Sequence, residues 1–267
     1  MRRVAFGLLF LNGCKVVDAP EDLEALMVFG FENYNRNGDD YLAAMGDNLL
    51  PQVDDQYDAI AEGYRIDSLT QEQIEAAGVE GADVTEVFGA MGALTYRHPV
   101  NDILGPILAP NRAELFPENL VEYTVLEEFE GDRDCFAART CDRYDFTFEE
   151  VANVGLLGNS TRTVQTSIRW VYPTVGEPYA VSIGLCPDGI GFNTNILVVH
   201  QQYNLSVVYP YGDVARRVEA FWVDAEVIGM DVPDHYAVDQ AVGAMAAQGE
   251  RIDDYLDEAT GVSTEPQ

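Results

Sequence analysis

Alternation of apolar and polar residues over successive short segments is the feature that most restricts the fold of this chain. Apolar side chains occupy alternate positions in six segments, and turn-forming residues separate the segments. The six segments are residues 121–125, 144–148, 164–172, 179–185, 203–209 and 221–227. A period of two is that of a β-strand with one buried face. The pattern therefore predicts an antiparallel sheet of six strands, and residues 92–97 predict a seventh strand before them.

Helical periodicity frames this region on both sides. Residues 20–78 repeat apolar side chains every three or four positions, which predicts two short helices joined at residues 35–38, the second ended by Pro51. Thr70 followed by Gln73 predicts a capped third helical turn, and Pro99 suits the first turn of a short helix. Residues 238–256 predict a long C-terminal helix. The expected class is α+β, with a helical segment at 20–88, a sheet-and-helix domain at 89–259 and a disordered tail at 260–267.

The order of elements from about Gly89 to Ala259 resembles the START-like, Bet v 1-type helix-grip fold. The resemblance rests on that order and on the strand-to-helix junction Tyr96-Arg97-His98-Pro99. It implies a curved sheet that wraps the last helix and encloses an apolar cavity. A plain α+β sandwich is the alternative.

The first fourteen residues have the organisation of a secretory signal. Arg2 and Arg3 precede an apolar run over residues 4–11, which is shorter than the roughly 20 apolar residues that span a bilayer. The ending Leu-Asn-Gly-Cys14 is similar to the lipobox of bacterial lipoproteins. This resemblance implies that residues 1–13 are a signal peptide, that Cys14 carries a lipid and that residues 14–19 form a linker. A buried N-terminal strand is the alternative.

The same resemblance implies a location in the bacterial cell envelope, with the lipid as membrane anchor. Lys15 follows the cysteine, whereas by resemblance to enterobacterial sorting an aspartate there would favour the inner membrane; we therefore expect the outer membrane. The formal charge of −31 makes nucleic acid and anionic surfaces unfavourable partners.

Three further cysteines remain if Cys14 is lipidated. Cys135 and Cys141 flank five residues and could close a loop between two strands in an exported protein, so we predict that they form a disulfide. Cys186 is then a free and buried thiol. A zinc site is disfavoured because the three histidines, His98, His200 and His235, are scattered.

Large aromatic residues are the remaining candidate for a binding site. Pockets for small molecules are built mostly from such side chains. The candidate ligand-binding residues are Tyr144, Phe146, Phe148, Trp170, Tyr203 and Trp222. The alternative is that these rings fill the core against the C-terminal helix. Periodicity does not tell which strand face points inward.

Catalytic and metal motifs are weak throughout. The segment Asn33-x-Asn35-x-Asn37-Gly38 resembles the start of an EF-hand loop, but Ala44 occupies the position of the bidentate acid. Acidic pairs such as Glu127-Glu128 are expected by chance among 46 acidic residues. Gly189-Ile190-Gly191 is interpreted as a turn rather than a dinucleotide site. We nominate no catalytic residue, no metal ligand and no cofactor.

Three functional hypotheses follow. The first is a non-enzymatic, lipid-anchored envelope protein that binds a lipid or another apolar ligand between sheet and helix. The second is an envelope interaction protein that uses its N-terminal helices or acidic surface against a partner protein. The third is an enzyme of the cyclase or hydrolase kind, because START-like folds host some. Fold analogy alone does not choose among them.

Overall fold

The structure is a computed structural model, and it describes residues 17–35, 39–81, 87–155, 158–194, 197–228 and 234–261. The expectations for the signal peptide, for the lipid on Cys14, for the Asn37-Gly38 turn, for the His235 side chain and for most of the tail lie outside these described parts.

The described chain forms helices at both ends and an antiparallel sheet between them. The helices are α1 (Leu23–Asn33), α2 (Asp39–Asp55), α3 (Tyr57–Ala61), α4 (Gln71–Ala76), α5 (Val100–Ile107), α6 (Arg112–Leu115), α7 (Arg133–Ala137) and α8 (Asp234–Thr260). The strands are β1 (Tyr64–Ile66), β2 (Phe88–Thr95), β3 (Leu120–Glu130), β4 (Arg143–Asn153), β5 (Asn159–Val171), β6 (Tyr179–Cys186), β7 (Ile190–Phe192), β8 (Leu197–Tyr211) and β9 (Val214–Val227). The predicted α+β class, with N-terminal helices and a long C-terminal helix, is confirmed.

The sheet runs in the order β1-β2-β9-β8-β6-β5-β4-β3, and β7 pairs with β5 and β8. The seven predicted strands correspond to β2, β3, β4, β5, β6, β8 and β9. The pattern misses β1 and β7, which have three residues each and are too short to show an alternating pattern. The interpretation of residues 189–191 as a turn is correct only for Gly189, whose φ is +74°, because Ile190 begins β7.

One boundary prediction is wrong for a physical reason. Pro51 lies inside α2 and does not end it. The apolar stripe continues past the proline, with Leu49 before it and Val53 after it fully buried. Proline removes one helical hydrogen bond, to the carbonyl four residues earlier. That carbonyl belongs to Asp47, an exposed residue where water can replace the lost donor. The capped turn at Thr70 and Gln73 is confirmed as the start of α4.

Helices cover both faces of the sheet. We call the face under α1, α2 and α4 the outer face and the face under α5 and α8 the inner face. On the outer face, Leu26 and Phe31 of α1 share one apolar core with Leu205 of β8. On the inner face, Ile103 of α5 and Met245 of α8 share a second core with other strand residues. The sheet therefore separates two apolar cores.

Charged side chains fix α8 against the junction between β2 and α5. The backbone N–H of Arg97 donates to Asp253 Oδ1 at 2.9 Å, and its guanidinium donates to Asp254 Oδ1 at 2.8 Å and to Asp257 Oδ2 at 3.0 Å. His98 Nε2 lies 3.0 Å from Asp257 Oδ1. Burial raises the pKa of Asp253. The junction that carried the fold resemblance thus holds the C-terminal half of α8 over the inner face.

The predicted disulfide is confirmed. Cys135 and Cys141 are bonded, with their Cα atoms 5.4 Å apart, in the connection between β3 and β4. The bridge holds α7, whose Phe136 ring stacks on Trp170 at 5.5 Å between centroids. Trp170 Nε1 also donates to the Phe136 carbonyl at 3.0 Å. Cys186 is free and buried, as expected, and burial raises the pKa of its thiol.

Candidate ligand-binding site

The six aromatic residues nominated from the sequence divide between the two faces of the sheet. Tyr144, Phe146, Phe148 and Trp170 belong to the inner core. Tyr203 and Trp222 belong to the outer core. All six rings therefore cannot line one pocket. Alternation shows which residues of one strand share a face, but it does not show how the faces of distant strands correspond.

Tyr203 and Trp222 pack under the first helix. They are partners across β8 and β9, and each contacts the Phe31 ring of α1, at 6.1 Å and 5.2 Å between centroids. Trp222 Nε1 donates to the carbonyl of Asp67 at 3.1 Å. These contacts give both rings a structural role beneath the N-terminal helices.

The inner face carries a continuous row of rings along β4. Tyr144 stacks on Phe146 at 4.6 Å, and Phe146 lies 5.9 Å from Phe148. Tyr123 of the edge strand β3 extends the row, with its ring 5.0 Å from Phe148. Trp170 is set apart from the row because Phe136 covers one of its sides and Arg139 lies 4.0 Å above its ring.

A surface cleft of about 570 Å³ opens onto this row. Its apolar walls are Leu108 and Pro110, which follow α5, and Val125 and Leu126 of β3. Tyr144 also lines the cleft, so a single ring belongs both to the cleft wall and to the buried row. Volumes of roughly 300–1,000 Å³ are usual for small-molecule sites.

The mouth of the cleft is acidic. Its polar lining consists of Glu127, Glu128, Asp132, Arg133 and Asp134. Arg133 is paired with its neighbour Asp134 at 2.8 Å. The Tyr144 hydroxyl donates to Glu128 Oε1 at 2.6 Å, and burial, this hydrogen bond and the charge of Glu128 together raise the pKa of Tyr144. A ligand with a neutral or cationic polar end fits this mouth better than an anion does.

Beyond Phe148 the inner face changes from apolar to charged. Glu150 follows on β4 and pairs with Arg162 of β5 at 2.6 Å, and Arg162 also donates to Gln202 at 3.4 Å. Strand β9 carries a second pair, Arg217 and Glu219, which are in direct contact.

The pair of Arg217 and Glu219 is embedded in neutral polar groups. Glu219 accepts a hydrogen bond from Asn204 Nδ2 at 2.9 Å, and Arg217 donates to Ser206 at 2.9 Å and to Gln248 of α8 at 3.2 Å. Burial raises the pKa of Glu219, and the charge of Arg217 acts in the opposite direction.

Sequence reasoning missed both charged pairs. The available signal was an arginine and a glutamate two positions apart on one face of β9, with the apolar residues Val218 and Ala220 on the other face. In a chain with 46 acidic residues, two buried acids do not stand out. Two other acids pair with arginines: Asp54 with Arg216 at 2.7 Å and Asp254 with Arg97 at 2.8 Å.

The described ranges contain no group of three or more His, Cys, Asp or Glu side chains arranged to hold a metal ion. Among the helices of the described chain, none is long and apolar enough to cross a bilayer.

Comparisons with known proteins give structural matches only. No protein-family model matches the chain, and no curated protein does. A START superfamily protein from Mycobacterium smegmatis is 9% identical over 64% of this chain and 98% of its own, with a TM-score of 0.43. The ZhuI aromatase/cyclase from Streptomyces sp. R1128 is 13% identical over 65% of this chain and 96% of its own, with a TM-score of 0.41. A STAR-related lipid transfer protein from Xanthomonas axonopodis is 12% identical over 67% and 89%, with a TM-score of 0.40. At these identities and TM-scores the similarity carries no statement about ligand, activity or partner.

Proposed function

We propose that the protein binds an apolar or amphipathic small molecule, such as a lipid, in the cleft between the end of α5 and β3. The observation that carries the proposal is the position of Tyr144, which lines the cleft and stacks on the buried ring of Phe146. A ligand that displaces or slides past Tyr144 moves from an acidic mouth onto a continuous aromatic surface. Each buried CH₂ group contributes about 0.8 kcal/mol to such binding.

The polar end of the ligand is neutral or cationic in this proposal. The lining holds four carboxylates against the single guanidinium of Arg133, which already pairs with Asp134. A carboxylate or phosphate at the mouth would be repelled by these charges. A long-chain alcohol or amine therefore fits the site better than a fatty acid anion does.

The first experiment measures the fluorescence of the neutral probe N-phenyl-1-naphthylamine as the protein is added. Val125→Trp fills the cleft wall from the inner side of β3, and we expect at least about tenfold weaker binding. Val121→Trp is the matched control, because it makes the same change on the same strand at an exposed position that does not line the cleft. Equal affinity in the two variants would refute binding in this cleft.

The charge argument is tested by competition. Dodecylamine should displace the probe at lower concentration than dodecanoate does, and the difference should shrink as salt screens the acidic mouth. Extraction of the purified protein followed by mass spectrometry then identifies any bound apolar molecule. If the native protein binds no probe but is attached to the membrane, the hypothesis of an envelope interaction protein is favoured.

We also propose that the protein is exported and anchored in the cell envelope through a lipid on Cys14. The support is the lipobox-like ending at Cys14 together with the position of the following residues. Asn48 and Gln52 of α2 donate hydrogen bonds to the carbonyls of residues 19–21, which holds the start of the described chain against α2. Cys14→Ser should leave the protein unprocessed or release it from the membrane fraction. Normal processing and attachment in that variant would overturn the anchoring proposal.

A further inference from the structure

Several exposed apolar side chains gather at one end of the sheet. This end, which we call the turn end, carries the β5–β6 turn at residues 172–178 and the β8–β9 turn at residues 212–213. Val175 is 84% exposed, Tyr172 is 50% exposed and Tyr211 is 42% exposed. Tyrosine at such a position presents an apolar body and a polar tip, which suits the boundary between water and lipid.

The two turns meet α2 at the turn end. A second cleft, of about 520 Å³, is lined there by Leu50 and Pro51 of α2, by Val175 of one turn, by Gly212 of the other and by Pro210 at the end of β8. Val175 therefore lines a cleft against α2, and Tyr172 and Tyr211 adjoin its lining residues Pro173 and Pro210 along the chain.

The N-terminal end of the described chain lies beside this surface. Ala19 and Pro20 accept hydrogen bonds from Asn48, on the neighbouring side of α2. The two sides of a helix are separated by its diameter of about 10 Å. Cys14 precedes Ala19 by five residues, which reach at most about 18 Å when extended. A lipid on Cys14 would hold α2 and the turn end close to the bilayer.

We infer that the turn end is a membrane-contacting surface, in which Tyr172, Val175 and Tyr211 contact the lipid headgroups. The inference rests on the proposed anchoring, since the tether selects this end of the molecule. The occupant is a bilayer of zwitterionic lipid, because Asp47 and Glu177 line the same cleft and would repel anionic headgroups.

This orientation also locates the ligand cleft. Tyr144 pairs with Ile168 near the end of β5, and the disulfide-bonded connection that lines the cleft mouth lies at the same end of the sheet. The mouth of the cleft therefore opens beside the bilayer, which makes membrane lipid the immediate source of an apolar ligand.

The test uses residues 14–267 with a hexahistidine tag in place of the lipid, bound to phosphatidylcholine vesicles that contain a nickel-chelating lipid. Val175→Cys is labelled with the fluorophore NBD, whose emission shifts to the blue in lipid. In this background Cys14 is replaced by serine, Cys135 and Cys141 are bonded, and Cys186 is buried, so the label goes to the new thiol. The variant is expected to fold because Val175 is exposed.

Val121→Cys is the matched control. Val121 is 51% exposed and neighbours Glu122, which aligns through β4 with Thr161 of β5. Thr161 lies ten residues before Val171, the last residue of β5, so the control is about 30 Å from the turn end.

We expect a blue shift and quenching by spin-labelled lipid at position 175 and neither change at position 121. Vesicle flotation first shows that the protein is tethered. No shift at position 175, or equal shifts at both positions, would then refute the proposal that the turn end contacts the membrane. Because the tag replaces the native lipid, this failure is separate from a failure of lipidation at Cys14, which the Cys14→Ser experiment measures.

Discussion

A double-mutant cycle on Arg217 and Glu219 tests whether the charged part of the inner face is sealed from water. The single variants Arg217→Met and Glu219→Leu each leave one buried charge without its partner. Glu219 is 1% exposed, and the two side chains are in direct contact. Removing one partner of a buried ion pair costs about 3–5 kcal/mol of unfolding free energy, because the remaining charge stays desolvated.

The double variant should be much less damaged than the sum of the single variants. Additive effects would cost about 6–10 kcal/mol. Without both charges, Asn204, Ser206 and Gln248 lose one hydrogen bond each, at about 1 kcal/mol per bond. The expected loss in the double variant is therefore about 3 kcal/mol, which leaves a coupling energy of about 3 kcal/mol or more.

The assay is urea unfolding followed by the fluorescence of Trp170 and Trp222, which are both buried. The exposed pair of Arg133 and Asp134 gives a matched cycle, for which coupling of about 1 kcal/mol or less is expected. Coupling of that small size between Arg217 and Glu219 would refute the reasoning, since it would mean that water reaches the pair and that the inner face is open at this end.

Three further predictions concern stability and reactivity. Removing the disulfide with Cys135→Ser/Cys141→Ser should lower the unfolding free energy by about 2 kcal/mol, because the bridged loop is short. The fluorescence of Trp170, which α7 covers, should also change. An unchanged midpoint of urea unfolding would contradict this prediction. Burial raises the pKa of Tyr64 and of Tyr203 from 10.0 to about 12. Because the pKa is higher in the folded state, the stabilisation is complete below pH 10 and is lost between pH 10 and 12. The melting temperature should therefore fall steeply in that interval, whereas a constant melting temperature would argue against burial of the phenols. Cys186 is 2% exposed with a raised thiol pKa and should react with a disulfide reagent only after unfolding; rapid reaction of the native protein would show that β6 is accessible.

The strands could be predicted because alternation has a strong signal in long segments. Residues 144–148 and 203–209 carry apolar side chains at every second position, and both lie in strands of eleven residues or more. Prediction from the sequence fails where a strand is too short for the period to repeat, as in the three residues of β7. It also fails where tertiary packing outweighs a local preference, as at Pro51. There the buried stripe of α2 outweighs one missing hydrogen bond.

The candidate site could be predicted only in part. The pattern identified Tyr144 and Phe146 as strand residues with one face inward, but the assignment of faces depends on which helices cover which side. Tyr203 has the same pattern and lies under α1 instead. The ionic groups of the inner face were missed because a charged residue is ordinarily exposed, and only a tertiary contact such as that between Arg217 and Glu219 makes its burial tolerable.

The division of the core by the sheet has a consequence for how the sequence can change. Leu205 and Ser206 are neighbours in β8, yet Leu205 packs under the N-terminal helices while Ser206 hydrogen-bonds to Arg217 on the other side. Substitutions on opposite faces share few direct contacts and should combine almost additively. Randomising only the inner positions of the strands would then reshape the side that carries the cleft while the side under the N-terminal helices keeps its packing, so alternate strand positions are suited to the selection of new binding specificities.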